Sequence, residues 1–126
     1  MKLLLIEPDR LLAEHYREIL DEHEVVLAHD AQTAITAIDE SLPDLIILEL
    51  LLGAHNGLEF LYELRSYTDA QNIPVILHTY VDHTEFTSDE TLLHELGIVD
   101  YLYKPSTRLI QLKSAVHRVD LSRKAT

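Results

Sequence analysis

The sequence predicts an α/β domain in which five parallel strands are covered by helices on both faces. Three observations carry that expectation. Leu45-Ile46-Ile47-Leu48 is an unbroken apolar run too short for a helix, which reads as a strand buried on both sides. Four other short apolar runs alternate with segments of helical periodicity, the pattern of a parallel sheet built by crossovers. The runs also end on polar or charged residues, as in open sheets whose strand ends line a site.

Taken in order, Lys2 to Ile6 is the first strand, followed by Glu7, Pro8 and Asp9. Asp9 is placed to cap a first helix whose apolar side is Leu11, Leu12, His15, Tyr16, Ile19 and Leu20. Val25 to Ala28 is the second strand, and Ala31 to Ile38 the second helix, with Ala34, Ile35 and Ile38 at core spacing. The third strand, Leu45 to Leu48, stops at Glu49. A polar turn over Gly53 to Asn56 leads to Gly57, which opens a third helix with Leu58, Leu61, Tyr62 and Leu64 inward. Pro74 to His78 is the fourth strand, with Thr79 at its end. A helix over Asp89 to Leu96 closes on Gly97. Ile98 to Tyr103 is the fifth strand, ended by Lys104-Pro105. Ser106 is expected to cap a last helix with Leu109, Ile110, Leu112, Val116 and Val119 inward. Right-handed crossovers leave few arrangements, and the flavodoxin-like, doubly wound order 2-1-3-4-5 suits this size. The domain is expected to span residues 1 to 121, with 122 to 126 a frayed tail or the start of a linker.

A chain of 126 residues is one domain with a core of its own, and without cysteine it has no disulfide framework or thiolate chemistry. No apolar run approaches the roughly 20 residues of a membrane span, and no signal peptide is visible, so a cytoplasmic location is expected. The formal charge is −12; residues 1 to 63 carry three basic and fourteen acidic side chains, which argues against nucleic-acid binding. From Lys104 to Lys124 the bias reverses, with Asp120 the one acid among Lys104, Arg108, Lys113, Arg118, Arg123 and Lys124.

The predicted topology gathers Glu7, Asp9, Glu49, Thr79 and Lys104 on one rim. Each alone has a plain structural reading; together they make a site. With "PDLIILEL", Gly57, "PVILHTY" and "DYLYKP", this set resembles the receiver domain of two-component response regulators, a CheY-like fold, over essentially the whole chain. In that family an Asp after the third strand takes a phosphoryl group from a histidine kinase. Mg²⁺ is held by acids after the first strand, and the Lys and Thr neutralise the phosphoryl oxygens. The resemblance implies that Glu49 stands in the acceptor position, Thr79 is the switch hydroxyl, Lys104 the lysine and Tyr101 the aromatic residue that moves with the switch. Metal ligands would be Glu7, Asp9, Glu49 and the backbone carbonyl of Leu51.

Two departures strike at the chemistry. Glu49 is one methylene longer than the acceptor Asp, moving its oxygens by roughly 1.5 Å, and misplacement of about 1 Å costs on the order of 10²-fold in rate. Its charge instead reaches toward Lys104 and Thr79, a partial mimic of the phosphorylated state, and a Glu49 to Lys104 ion pair is expected. Pro8 stands where the family has a metal-binding acid, so no cofactor is expected beyond weak Mg²⁺. Asp9 is divided between capping and ligation. The segment from Thr79 to Lys104 is also longer than usual near the fourth helix, a face used for partner contacts.

Among the eight histidines, His15 is expected in the core, His55 in a loop beside the pocket, and His78 next to Thr79 as a weak candidate for a pH response. The first reading is an atypical, non-enzymatic pseudo-receiver acting by protein-protein interaction. Its partner would be a histidine kinase or downstream effector, with a homodimer through the fourth helix, fifth strand and last helix as a further possibility. The alternative is a phosphorylatable, Mg²⁺-dependent receiver. A flavodoxin-like cofactor binder is disfavoured because no Ser/Thr/Gly-rich loop follows the first strand.

Overall fold

The computed structural model describes residues 1–86 and 89–125. Its central sheet is built from β1 (Lys2–Ile6), β2 (Glu24–Ala28), β3 (Leu45–Leu48), β6 (Val75–Thr79) and β7 (Ile98–Tyr103). All are parallel, in the order β2-β1-β3-β6-β7, which is the expected 2-1-3-4-5. The strands read as continuous apolar runs because both faces are covered. Leu3, Leu5, Leu45, Ile47 and Ile76 pack on α1 (Arg10–Ile19) and α6 (Leu109–Lys124). Leu4, Ile6, Ile46, Leu48, Val75 and Leu77 face the other way, toward α2 (Ala31–Glu40), α3 (Gly57–Ser66) and α5 (Glu90–Glu95). Period-two alternation divides one apolar string between two cores.

Asp9, Asp30, Asn56 and Asp89 cap α1, α2, α3 and α5 with side-chain oxygens. Gly57 sits where a Cβ would lie 2.7 Å from the Cα of Leu50, so α3 approaches the rim loop closely only with glycine there.

Several expectations need correction. On α1 the buried residues are Ala13 and Tyr16, followed by Leu20; Leu11 is 82% exposed and His15 is exposed. Both lie two residues from Ala13, about 200° of helix rotation, on the side facing water. Tyr62 likewise points out of α3. The polar turn closes a small antiparallel ladder of β4 (Leu51–Leu52) and β5 (His55–Asn56), with Gly53 at φ +69°. A short additional helix, α4 (His83–Phe86), precedes α5. Ser106 does not cap α6: Pro105 lies in a 3₁₀ turn over Lys104–Ser106, and α6 begins after Arg108, whose N–H donates to Gln111 Oε1 at 2.6 Å. Leu112, Ala115 and Val116 form the buried side of α6, leaving Leu109 and Ile110 exposed. The helix runs through Ser122 to Lys124, with Arg123 paired to Asp44 at 3.0 Å, where a frayed tail was expected; Thr126 lies outside the described residues.

One polar staple holds the lower end of the α3 and α5 layer. The half-buried Arg65 guanidinium donates to the carbonyls of Leu96, Ala70 and Ile73 at 2.7 to 2.9 Å. Gly97, at φ +71°, lies so close that a Cβ would stand 2.3 Å from Arg65 Nη2. Arg65→Ala is therefore expected to lower the unfolding free energy by roughly 2–3 kcal/mol, since three carbonyls lose their donor at once. Arg65→Lys should recover less than half, because one ammonium cannot span the three acceptors. Gly97→Ala should destabilise comparably, with urea midpoints as the measurement.

Candidate functional site

The strand register brings the rim residues together. Ile6 pairs with Leu48 and Leu48 with Leu77, so Glu7 and Glu49 leave neighbouring strands side by side, and the Glu49 N–H donates to the Ile6 carbonyl at 3.0 Å. Thr79 is the last residue of β6, opposite Tyr103, and Lys104 follows β7. The topology thus delivers two acids, a hydroxyl and a lysine from four strands to one point.

At that point Glu49 is 3% exposed and every oxygen is engaged. Oε1 accepts from Lys104 Nζ at 3.0 Å and from the Tyr80 N–H at 3.2 Å. Oε2 accepts from the Thr79 hydroxyl and from the Leu51 N–H at 3.2 Å. The expected Glu49 to Lys104 pair is present. Lys104 also donates to Glu7 Oε1, while Glu7 Oε2 takes the Asp9 N–H at 3.1 Å. One buried ammonium therefore bridges two buried carboxylates. Thr79 Oγ1 accepts in turn from the N–H groups of Val81 at 3.1 Å and Leu50 at 3.4 Å. The ring of Tyr80 lies 4.8 Å from Lys104 Nζ, a cation–π contact that covers the ammonium from the solvent side.

Tyr101 is half-buried, donates from its hydroxyl to the Val81 carbonyl at 2.7 Å, and packs against the rings of His83 (5.0 Å) and Phe86 (6.0 Å) of α4. Burial, then the charges of Asp82, Glu49 and Glu85, push its phenol up to about 12. His78 is buried beneath the rim, edge-on to Tyr16 at 5.0 Å. Desolvation first, and the Lys104 charge second, push it down to about 4, against a smaller opposing effect of Glu49. For Lys104, desolvation disfavours the charge, but the hydrogen bonds and attraction of Glu7, then of Glu49, outweigh it and hold the ammonium above the ordinary lysine value.

Of the expected site residues, Glu7, Glu49, Thr79 and Lys104 converge, and Tyr101 stands one strand away with its hydroxyl on the residue two past Thr79. Asp9 separates from them: its carboxylate accepts from Leu11 and Leu12 N–H groups at 3.1 Å as the cap of α1, and only its own N–H touches Glu7. Leu51 contributes its N–H to Glu49. His55 lies exposed in β5, and His15 is exposed rather than in the core it was expected to join. The acids left to hold Mg²⁺ are Glu7 and Glu49. Both remaining acids are tied to Lys104, Pro8 offers no carboxylate, and among the described residues no group of three or more His, Asp or Glu is placed to hold a metal. Sequence reasoning missed the Glu7 to Lys104 pair and the Tyr80 contact. The signal for the latter was only the adjacency of Tyr80 to Thr79.

The profile of the response regulator receiver domain matches residues 3–117. The transcriptional regulatory protein CpxR of Klebsiella pneumoniae is 38% identical over 106 residues, covering 82% of this chain and 43% of that protein. The response regulator MprA of Mycobacterium avium is 32% identical over 83% of this chain and 45% of its own length. The chain thus spans less than half the length of these relatives. Among solved structures, the signal receiver domain of a signal transduction histidine kinase from Syntrophus aciditrophicus is similar at TM-score 0.82 and 28% identity, covering 99% of this chain and 93% of that one. A two-component response regulator from Clostridium difficile is similar at TM-score 0.80 and 27% identity, covering 100% and 99%.

Two outcomes follow from the buried charges. His78 is neutral in the folded protein, so the unfolded chain binds its proton first; the stability due to this is complete above pH 6.5 and declines by up to about 3 kcal/mol as pH falls toward 4. Urea midpoints between pH 7 and 4.5 should fall less steeply in His78→Phe than in the unaltered protein. Lys104→Met leaves two buried carboxylates without a cation and is expected to cost about 3–5 kcal/mol at pH 8.

Proposed function

This chain belongs to the response-regulator receiver family, and on that premise we propose that it serves two-component signalling as an atypical receiver, a pseudo-receiver that works by protein-protein interaction rather than by accepting a phosphoryl group. The observation that carries this reading is the Glu49 carboxylate, in the acceptor position, already bonded to both groups that would neutralise a transferred phosphoryl group, Lys104 and Thr79. A nucleophile must offer a free lone pair to the incoming phosphorus. Here both oxygens accept two hydrogen bonds each, in a pocket nearly closed to water.

The added methylene of Glu49 puts negative charge where the phosphoryl oxygens would lie, so the switch groups are engaged without a covalent event. Thr79 is drawn onto Glu49, and Tyr101 is held by the Val81 carbonyl and by α4. Metal-assisted phosphoryl transfer also needs charge neutralisation by a cation at the acids, and Lys104 takes that role with Glu7 and Glu49. In this reading the chain is not an enzyme; it presents one fixed surface to a signalling partner, a histidine kinase or an effector.

The test is a titration with Mg²⁺ and beryllofluoride, or with a small-molecule phosphodonor, followed through the amide signals of Glu49, Thr79, Tyr101 and Lys104. No saturable shift at low millimolar Mg²⁺ is expected for the unaltered chain. The double variant Pro8→Asp/Glu49→Asp is expected to acquire one. A saturating response or a phosphoryl mass increment in the unaltered chain would establish instead the phosphorylatable receiver that Thr79 and Lys104 by themselves favour.

A further inference from the structure

Beside the rim, on the α3 face of the sheet, a cleft of about 430 Å³ lies between the β4–β5 hairpin with the head of α3 and the single turn of α4. Its apolar lining is open to solvent. Leu51 is 56% exposed, and Leu58, Val81 and Phe86 are each only partly buried. Glu59 of α3 and Glu85 of α4, both exposed, line it from its two sides. No Lys or Arg lines the cleft, and neither acid is in an ion pair among the described residues. Uncovered apolar surface rimmed by a few polar groups is the make-up of a ligand cleft, and the volume falls in the range of small-molecule sites.

The dimensions select a compact occupant. The α4 wall has four residues, about 6 Å of helix, too short to seat a partner helix of several turns. The loops that line the cleft are also the loops that hold the Glu49 site. The Leu51 N–H donates to Glu49 Oε2 at 3.2 Å, and the N–H groups of Leu50 and Val81 donate to Thr79 Oγ1 at 3.4 and 3.1 Å. The Val81 carbonyl accepts from the Tyr101 hydroxyl at 2.7 Å, and the Phe86 ring lies 6.0 Å from that of Tyr101. An occupant resting on Leu51, Val81 and Phe86 therefore bears on the segments that fix Tyr101.

We propose that the cleft between the β4–β5 hairpin and α4 binds a small amphiphilic cation, its apolar body on Leu51, Leu58, Val81 and Phe86 and its basic nitrogen between Glu59 and Glu85, and that binding is coupled to Tyr101. The apolar contact supplies affinity, and the two acids, uncompensated within the chain, select the sign of the ligand. Coupling requires that the ligand bind one arrangement of Tyr101 better than another, and the tie from Tyr101 to the Val81 carbonyl makes that difference. As an input that takes the place of phosphorylation, the cleft rests on the pseudo-receiver reading of Glu49; as a binding site it does not.

The test is an amide-shift titration of the unaltered chain with phenylbutylamine, its neutral counterpart phenylbutanol, its acidic counterpart phenylbutyrate, and butylamine, which keeps the charge and lacks the ring. Phenylbutylamine should saturate in the millimolar range or below, with the largest shifts at Leu51, Leu58, Val81, Phe86 and Tyr101. Phenylbutyrate and butylamine should each bind at least about five-fold more weakly, since each lacks one of the two attractions. Glu59→Gln/Glu85→Gln, at two exposed positions, should keep the thermal midpoint within a few degrees and bring the amine down to the affinity of the alcohol. Tyr101→Phe, altered outside the cleft lining, should weaken the amine by about three-fold or more, because coupling between sites is reciprocal. Equal binding of the amine and the acid, largest shifts elsewhere, or indifference to the Gln pair or to Tyr101→Phe would overturn the proposal. So would a response confined to a Lys-bearing peptide, which would assign the cleft to a protein partner, or a dimer of the unaltered chain that the Gln pair dissolves, which would assign it to a second copy. Beryllofluoride and Mg²⁺ address Glu49 alone, so a working phosphoryl acceptor and a cleft that binds nothing give different results.

Discussion

The bridge from Glu7 through Lys104 to Glu49 is the constraint on which the rest of the molecule depends. Taking three charges out of water costs several kcal/mol per ion unless each is met by good geometry and further hydrogen bonds. The molecule meets that demand with backbone: the N–H groups of Asp9, Leu51 and Tyr80 and the hydroxyl of Thr79 complete the set around the two acids. Those donors are available only if the ends of β1, β3, β6 and β7 hold their relative positions to within tenths of an ångström. The apolar strands and the two cores on either side of the sheet are what hold them.

The same logic separates this bridge from the other ion pairs. Arg118–Asp100 and Arg123–Asp44 link α6 to the body across largely exposed side chains, Lys124–Asp120 lies within α6, and each is worth tenths of a kcal/mol. They orient the last helix without deciding the fold. Arg65 is a third case, a half-buried guanidinium that answers to carbonyls alone and joins α3, the turn after it and the end of α5. A cation can serve as a structural donor to backbone where no acid is near. In the rim the cation has two acids to itself.

Much of this was legible in the chain. The five strands, their order and the convergence of Glu7, Glu49, Thr79 and Lys104 follow from run length and crossover handedness, and the Glu49 to Lys104 pair follows from the reach of one methylene. The errors fall where a local pattern had two readings. Leu12, Tyr16, Ile19 and Leu20 do pack inward, but Leu11 and His15 fit that side only if the stripe is widened to take them, and the burial of Ala13 between them turns both to water. Ser106 had the chemistry of a cap, yet Pro105 placed it inside a 3₁₀ turn. Asp9 had two employments open to it. The orphan N–H groups at the start of α1 claimed its carboxylate because they lie two and three residues away, at no cost in chain entropy.

By itself, then, the sequence determined which segments are strands, in what order they lie and which side chains reach the rim, because run length and periodicity are local properties that solvent exclusion reads directly. Only the tertiary structure decided that Lys104 is shared between Glu7 and Glu49 and that Tyr80 covers it. Glu7 and Lys104 are 97 residues apart. Which of several nearby acceptors a buried ammonium takes depends on differences of an ångström between strands, and these exist only once the sheet is assembled.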